Sequence, residues 1–223
     1  MGAISLRHNR TALIDEAKCT ECCTCLRAYV CPTDAIEETN LAWPRSIRTQ
    51  FSSVTGVHKK TGVSGRGTYE MKTNDVTGRF HKAEAGFSID IGRPGVGTTM
   101  KDVEKIAMEV AKLGVEFEFQ NPVTMLMADK NSGKLRKDVM GEVIHSCVLE
   151  FKTDIRRVPL VVETLKQVAE RVDTVFCVGC IGRVLSDGSI PVRTELDKAG
   201  ISYRPNGKVC VGLGRPEANF GEP

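Results

Sequence analysis

Aromatic residues, histidine and long apolar runs are all scarce in this sequence. Of its 223 residues, 5% are aromatic, with one tryptophan, and four are histidine. No apolar stretch approaches the roughly 18 residues of a membrane-spanning helix, so the sequence predicts no membrane segment. Few side chains can stack on bases and the net charge is only +3, which argues against a nucleic-acid-binding protein.

The first residues, MGAISLRHNR, contain no apolar stretch of the kind that signal peptides have, so the sequence predicts no export signal. Cysteine, in contrast, is abundant: there are nine, an odd number that disulfide bonds alone cannot use. In a reducing compartment, cysteines bind metals or take part in chemistry more often than they form disulfides. We therefore expect a cytoplasmic protein with metal-binding or redox-active cysteines.

Charge is unevenly distributed along the chain. Residues 1–43 contain four basic and six acidic side chains, whereas residues 44–82 contain eight basic and only two acidic ones, a local charge of +6. Most of this basic segment is rich in glycine, serine and threonine and has no helical or alternating period, which predicts a long loop. We assign residues 1–43 to an N-terminal module, 44–84 to a basic glycine-rich arm, 85–185 to a folded domain and 186–223 to a C-terminal extension.

Two β-α-β units follow each other in the folded domain. In each unit a strand pattern, a helix with apolar residues at helical spacing and a second strand pattern occur in the same order. The first unit comprises Ala85–Ile91, Met100–Leu113 and Val115–Phe119, and the second comprises Ser146–Phe151, Val158–Val172 and Asp173–Val178. This order predicts an α+β fold, a ferredoxin-like double βαβ sandwich with a four-stranded sheet and both helices on one face.

The strongest functional signal is a group of cysteines in the N-terminal module. Cys19, Cys22 and Cys25 are separated by two residues each, and Cys31 follows within the sequence CPTDAI. Three thiolates at this spacing can each bind one iron of a cubane cluster, and the pattern resembles the bacterial ferredoxin motif. The sequence therefore predicts a small ferredoxin-type module that holds a [4Fe–4S] cluster on these four cysteines.

Two alternatives to this assignment stay open. Five residues separate Cys25 from Cys31, whereas the ferredoxin motif has three, so a distal cysteine could replace Cys31 as the fourth ligand. Four thiolates could also bind a structural zinc ion. Cys23 is interpreted as a spare thiol that could exchange with Cys22.

Cys177 and Cys180 form a second candidate redox or metal site. In an unbroken strand, residues three apart point to opposite faces, so these thiols could share a metal only if Gly179 bends the chain. A persulfide carried by either thiol is a further hypothesis. Cys147 is expected on the third strand of the sandwich, separated from the fourth by the first, which argues against its pairing with Cys177. We interpret Cys147 and Cys177 as core residues.

Two glycine-rich segments are candidate anion-binding loops. GRPGVGTT lies between a predicted strand and helix, where backbone N–H groups could hold an anion. The alternative is a tight turn with Thr98 or Thr99 as the helix cap. In TGVSGRGTYEMKTNDVTGRF, Arg66, Lys72 and Arg79 supply positive charge for a small anionic substrate or an acidic protein partner. A solvated basic arm is the other interpretation of this segment.

Several segments resemble the 6-hydroxynicotinate reductase family. They are the run TGVSGRGTYEMKTNDVTGRF, the run GRPGVGTTMKDVEKIAMEVAKLGVEFE and NGKVCVGLGRP, and the resemblance extends from about residue 43 onward, with the cysteine motif before it. It implies a ferredoxin-dependent iron–sulfur reductase. Such an enzyme passes low-potential electrons through the cluster to a small anionic N-heterocycle, such as 6-hydroxynicotinate, and reduces a CH–CH bond.

The resemblance also implies partners and leaves one alternative function. The implied partners are ferredoxin or another acidic electron donor and, in a larger complex, a further subunit. A flavin is compatible with such chemistry, but nothing in the sequence indicates a flavin site or a proton donor. The alternative function is an electron-transfer or redox-sensing subunit that has no substrate site of its own.

Overall fold

The computed structural model describes residues 2–8, 10–64, 79, 81–93 and 95–204, and its centre is a four-stranded antiparallel sheet. The described elements follow one another along the chain as β1 (Ile4–Leu6), β2 (Ala12–Ile14), α1 (Thr24–Arg27), α2 (Ser46–Ser52), β3 (Glu84–Ile91), β4 (Thr98–Thr99), α3 (Met100–Ala111), β5 (Glu116–Phe117), β6 (Met127–Asp129), β7 (Lys134–Leu135), β8 (Val143–Ile144), β9 (Cys147–Asp154), α4 (Val158–Ala169), β10 (Phe176–Ile181) and α5 (Pro191–Lys198). Short 3₁₀ helices precede β6, β8 and α4. None of the described helices is long and apolar enough to cross a membrane.

The strands of the central sheet lie in the order β10-β3-β9-β5. The prediction of a mixed helix and strand protein with a four-stranded sheet is confirmed. The first and third of these strands along the chain, β3 and β9, are central, and they pair over their whole length with Phe87 opposite Phe151. The third strand is separated from the fourth by the first, as the sequence predicted.

Alternating residues of β3 and β9 form one side of the hydrophobic core. On β3 these are Ala85, Phe87, Ile89 and Ile91, all of them fully buried. Helices α3 and α4 pack against each other and bury one face each in the same core. Their buried apolar residues recur at helical spacing: Met100, Val103, Ile106, Ala107, Val110, Ala111, Val158, Val161, Leu165 and Val168.

The start of α3 satisfies its own backbone donors. Thr99 is the N-cap, and its hydroxyl accepts a hydrogen bond from the N–H of Asp102 at 3.1 Å. The N–H of Met100 donates to the carbonyl of Glu142 at 3.0 Å. These partners favour the tight-turn interpretation of GRPGVGTT over an anion-binding loop, because two of the first N–H groups of the helix, those of Met100 and Asp102, are already in use.

Strand β5, the second strand of the central sheet along the chain, is shorter than the predicted strand Val115–Phe119. The N–H of Glu118 still donates to the carbonyl of Glu150, but a turn follows in which the N–H of Asn121 donates back to the carbonyl of Glu118. The strand therefore ends before Phe119, which is 66% exposed instead of half-buried. Phe117, two residues earlier, is buried as expected.

Two segments outside the predicted domain also contribute to its core. The arm assigned to residues 44–84 begins with α2, whose Ile47 and Phe51 are buried in the main core. The extension assigned to residues 186–223 includes α5, whose Val192 and Leu196 are buried in the same core. Amphipathic helices of seven and eight residues are too short for their period to stand out in the sequence.

Replacing Gly133 with alanine is expected to destabilise the fold by about 2 kcal/mol or more. Gly133 has φ of 72°, and an added Cβ would lie 2.5 Å from the carbonyl oxygen of Ala107 in α3. Urea denaturation of the variant checks the effect. Gly141→Ala is the matched control, because a Cβ there meets nothing within 4 Å and its expected change is below about 0.5 kcal/mol. Equal stabilities of the two variants would contradict the close approach.

Candidate cluster-binding loop

Five cysteines lie close together in sequence between β2 and α2. Cys19, Cys22, Cys23, Cys25 and Cys31 are all free and all partly buried. We call residues 19–31 the thiol loop. Cys25 lies inside the single-turn helix α1, and Cys23 directly precedes that helix. The four predicted ligands therefore belong to one short loop, and Cys23 lies among them.

The backbone of the thiol loop changes handedness at residues other than glycine. Glu21 and Cys23 have φ of 55° and 53°, and Cys23 is followed at once by the right-handed helix α1. Such conformations are uncommon for non-glycine residues. Alternating left- and right-handed residues direct successive N–H groups to one side, as in the anion-binding nests of many phosphate and iron–sulfur sites. The local conformation therefore suits an anionic group.

Hydrogen bonds favour the thiolate form of two cysteines in the loop. Burial raises the pKa of Cys22, but hydrogen bonds from the side chain and N–H of Thr24 and from the hydroxyl of Thr20 outweigh it, so the pKa is lowered. The pKa of Cys31 is lowered by the hydroxyl of Thr33 and then by the N–H of Ala35, 3.2 Å from its sulfur. The thiolate is the form that binds metals, so both residues are suited to be ligands.

Burial has the opposite effect on two other thiols of the loop. It raises the pKa of Cys19, and the nearby carboxylate of Glu21 raises it further. Burial also raises the pKa of Cys23, with a smaller contribution from Glu38. A bound cation would reverse the burial effect on Cys19, because metal coordination deprotonates a thiol outright.

The thiols of the loop are not gathered around one point in the described part of the chain. No group of three or more His, Cys, Asp or Glu side chains among these residues is arranged to hold a metal ion. Cys210, the one cysteine beyond them, lies outside the described residues. By donor chemistry, Cys19, Cys22, Cys25 and Cys31 fit an iron–sulfur cluster or zinc, and binding either would require the sulfurs to converge.

Arg45 joins the N-terminal module to the start of α2. Its Nη2 lies 2.5 Å from the carboxylate of Glu21 in the thiol loop, and its Nη1 lies 2.8 Å from the carboxylate of Glu16 just before that loop. Because this guanidinium is partly exposed, its ion pairs contribute less than a buried pair would.

Arg48 lies one turn further along α2 and also contacts the N-terminal module, but its side chain is buried. Its Nη1 donates to the carbonyls of Cys19 at 2.7 Å and Glu16 at 2.8 Å. Its Nε donates to the carboxylate of Glu142 at 2.5 Å, and both side chains of this pair are almost completely buried. We call the folded domain of residues 85–185, which contains the central sheet, the sheet domain. Arg48 therefore contacts the thiol loop and the sheet domain at the same time.

The N-terminal module has almost no interior of its own. Among the described residues between 2 and 43, only Thr20 is buried. Trp43, at the end of the module, is 45% exposed; its ring N–H donates to Asp138 at 2.7 Å, and Arg136 lies over the ring. Arg136 and then Trp43 lower the pKa of Asp138 to about 2, so Asp138 is ionised at neutral pH. Polar contacts, and not an apolar core, attach the module.

The strand register separates Cys177 from Cys180. β10 is an unbroken strand in which Cys177 is paired with Asp90 and Cys180 with Phe87, so the two thiols point to opposite faces of the sheet. They do not form a shared metal site in this conformation. The interpretation of Cys147 as a core residue is confirmed, because it is fully buried. The same interpretation of Cys177 is wrong: Cys177 is exposed, and Cys180 packs against the core instead.

Cys177 is expected to react with iodoacetamide at pH 8, whereas Cys180 stays unmodified. Burial raises the pKa of Cys180 from 9.0 to about 12, so its reactive thiolate is disfavoured in the folded protein. Because the folded pKa is raised, the contribution of Cys180 to stability is complete below pH 9 and is lost as the pH rises toward 12. Fragment-ion mass spectrometry locates the label, and a sample in urea should be labelled at both positions. Equal labelling in the native protein would contradict the register.

Of the three candidate anion-binding residues, the structure describes Arg79 alone. Its Nε lies 3.4 Å from the carboxylate of Glu118, both side chains are nearly buried, and Nη2 donates to Gln120 at 3.1 Å. The charge of Arg79 is therefore used within the protein and is not presented to an anion in solution. Arg66 and Lys72 lie outside the described residues.

Comparison of the chain with protein-family models, with curated proteins and with solved structures finds no significant match.

Sequence reasoning missed Arg45 and Arg48, the residues that connect the thiol loop to the sheet domain. Both were counted in the basic arm, where charge alone made them candidates for a solvated surface. Their acidic partners lie far away in the sequence, Glu142 being 94 residues from Arg48. The available signal was an arginine between apolar residues: Arg48 follows Ile47 and precedes Phe51 at helical spacing.

Proposed function

We propose that this chain is an iron–sulfur oxidoreductase, or the iron–sulfur subunit of one, acting in the cytoplasm. It would pass low-potential electrons from ferredoxin to a small anionic N-heterocycle such as 6-hydroxynicotinate. The observation that carries the proposal is the thiol loop, in which four free, partly buried cysteines with ferredoxin-like spacing lie within 13 residues. When bound, a [4Fe–4S] cluster supplies one-electron transfer at low potential. Cys19, Cys22, Cys25 and Cys31 would hold it.

The lack of an interior in the N-terminal module supports a bound metal. Ordering a residue's backbone costs about 1–2 kcal/mol, and burial of apolar side chains normally offsets that cost. In residues 2–43, only Thr20 among those described is buried. Small modules of this kind commonly depend on metal binding for their stability. A cluster on the thiol loop would provide that stability at the point where the module lacks it.

The chain's own residues would set the surroundings of the cluster. N–H groups and hydroxyls already directed at Cys22 and Cys31 stabilise negative charge on their sulfurs. Such hydrogen bonds raise the reduction potential of a cluster by favouring its more negative reduced state. These groups favour electron uptake by the cluster.

The substrate class rests on the family resemblance and on the charge of the arm. The arm has a formal charge of +6 over residues 44–82. Acidic residues outside the arm neutralise part of it, and the remaining positive charge attracts anions and acidic proteins. Arg79 is paired with Glu118 and Arg48 with Glu142, so these two arginines are not offered to a substrate. We therefore assign substrate or partner binding to Arg66 and Lys72.

A second candidate function is electron transfer without a substrate site. It is favoured by two exposed apolar side chains within the thiol loop. Tyr29 is 87% exposed and Val30 60% exposed, directly before Cys31. Exposed apolar residues beside a redox centre are suited to binding a partner protein.

Titration of the reduced protein with 6-hydroxynicotinate separates the two functions. The anaerobically loaded protein is reduced and its cluster absorbance followed after each addition. Reoxidation at a rate that saturates with substrate supports the reductase, and the Arg66→Gln/Lys72→Gln double variant should then need more substrate for half-saturation. Lys59→Gln/Lys60→Gln is the control, since it removes the same charge from the arm elsewhere. A cluster that is reoxidised only after a second protein is added would contradict the reductase and support the carrier.

A further inference from the structure

Arg48 is a buried charge that lies between the thiol loop and the sheet domain. Its side chain is 7% exposed. Nη1 donates to the carbonyl of Cys19 and to the carbonyl of Glu16, while Nε donates to the carboxylate of Glu142. A guanidinium has its donors fixed in one plane, so contacts made on one side fix the position of the groups on the other.

Both ends of this connection are held in place. On the domain side, the carbonyl of Glu142 accepts the N–H of Met100, the first residue of α3, and its own N–H donates to Val139. On the helix side, α2 is anchored by buried Ile47 and Phe51, which flank Arg48, and by Ser52, whose hydroxyl accepts the N–H of His145 at 2.9 Å. The thiol loop is therefore linked through one side chain to the start of the core helix.

We infer that Arg48 is the positioning residue that couples metal occupancy of the thiol loop to the stability of the sheet domain. The inference rests on the proposed function, since it requires a cluster on Cys19 and its neighbours. Arg48 holds the backbone of the first ligand at a fixed place relative to Glu142, so the loop loses less freedom when the sulfurs converge. By linkage, whatever stabilises the arrangement around Arg48 also strengthens metal binding, and metal binding stabilises the domain.

Arg45 provides the internal comparison. It forms ion pairs with Glu16 and Glu21 of the N-terminal module, but it is partly exposed and both of these partners lie N-terminal to α2. Loss of Arg45 removes positive charge beside the thiol loop without removing the contact to the sheet domain. Loss of Arg48 removes both and leaves the carboxylate of Glu142 buried without its cation.

The test measures cluster release and reduction potential in Arg48→Met, Arg48→Lys and Arg45→Met. Each variant is loaded anaerobically and challenged with an iron chelator while the visible absorbance of the cluster is followed. Arg48→Met and Arg48→Lys are expected to release iron roughly 10- to 100-fold faster than the parent, the usual effect of losing a contact behind a metal ligand. Arg45→Met should change the rate less than threefold.

The reduction potential is a readout that a purely structural role would not move. Arg48→Met leaves an uncompensated carboxylate near the cluster and should lower the potential, because negative charge disfavours the reduced state. Arg48→Lys keeps the charge and should retain the potential while still releasing iron faster. The single nitrogen of lysine cannot take the places of both Nη1, which donates to the two carbonyls, and Nε, which donates to the carboxylate. Parent-like release by both Arg48 variants, or equally fast release by Arg45→Met, would overturn the inference. If Arg48→Met does not fold, Arg48→Lys alone decides the outcome.

Failure of the cluster proposal would be visible separately, because the parent protein would then hold no iron. In that case hydrogen exchange of the metal-free protein tests whether Arg48 still connects the thiol loop with the start of α3. Arg48→Lys should raise the exchange rates of the Cys19 amide, which donates to Asp15, and of the Met100 amide, which donates to Glu142, in the same experiment. Faster exchange at only one of these two amides would show that Arg48 does not connect the two segments.

Discussion

Serine in place of Cys19, Cys22 or Cys25 is expected to remove most of the iron from the anaerobically loaded protein, whereas serine in place of Cys23 leaves it bound. A [4Fe–4S] cluster needs four thiolates, and a serine hydroxyl is a poor ligand for this soft centre. Iron should fall from about four per chain to below about one in each ligand variant. Colorimetric iron determination after gel filtration measures the effect.

Cys23→Ser is the matched control, because Cys23 lies in the same loop and is partly buried like the predicted ligands. Cys31→Ser decides the open question of the fourth ligand: full loss of iron assigns Cys31, and retention assigns a distal cysteine. A Cys23→Ser variant without iron, beside a Cys22→Ser variant that keeps it, would show that these two cysteines exchange roles. Full iron retention by all of the single variants would contradict a cluster in this loop.

Alanine in place of Phe151 is expected to lower the free energy of unfolding by about 3–5 kcal/mol. Phe151 is fully buried at the centre of the sheet, stacked on Phe87 with ring centroids 5.2 Å apart and in edge contact with Phe117 at 6.1 Å. Its removal leaves a cavity beside the rings of Phe87 and Phe117 in the hydrophobic core, and such cavities are costly because the surroundings relax only in part. Urea denaturation followed by circular dichroism measures the change.

Phe119→Ala is the control for Phe151→Ala. It makes the same chemical change two residues after Phe117 of β5, but its side chain is 66% exposed, so the expected loss is below about 0.5 kcal/mol. The pair also tests where β5 ends. If Phe119→Ala were as destabilising as Phe151→Ala, the alternating pattern of Val115–Phe119 would be a full strand and the turn at Glu118 would be misplaced.

The sheet domain follows closely from sequence patterns because its elements are long and strongly periodic. The predicted strand Ala85–Ile91 is β3 with one added residue, and the predicted helix Met100–Leu113 starts at the same residue as α3. The predicted helix from Val158 likewise begins with α4. Apolar spacing and the threonine cap act within a few residues of each other, so a single sequence reveals them.

Features that depend on distant residues could not be predicted in the same way. The strand order alone did not determine which of Cys177 and Cys180 faces the core; that depends on the register with β3, in which Cys180 is opposite buried Phe87. A slip of one residue would exchange the two faces. The burial of Arg48 depends on Glu142, which no local pattern connects with it. Counting charges along the chain therefore predicts an exposed Arg48, whereas its side chain is buried.

Iron and acid-labile sulfide determination on the anaerobically prepared protein, with electron paramagnetic resonance of the reduced sample, tests the central claim most directly. We expect a brown protein with about four irons and four sulfides per chain and the signal of one reduced [4Fe–4S] cluster. A colourless protein that holds one tightly bound zinc ion, without sulfide, would contradict it.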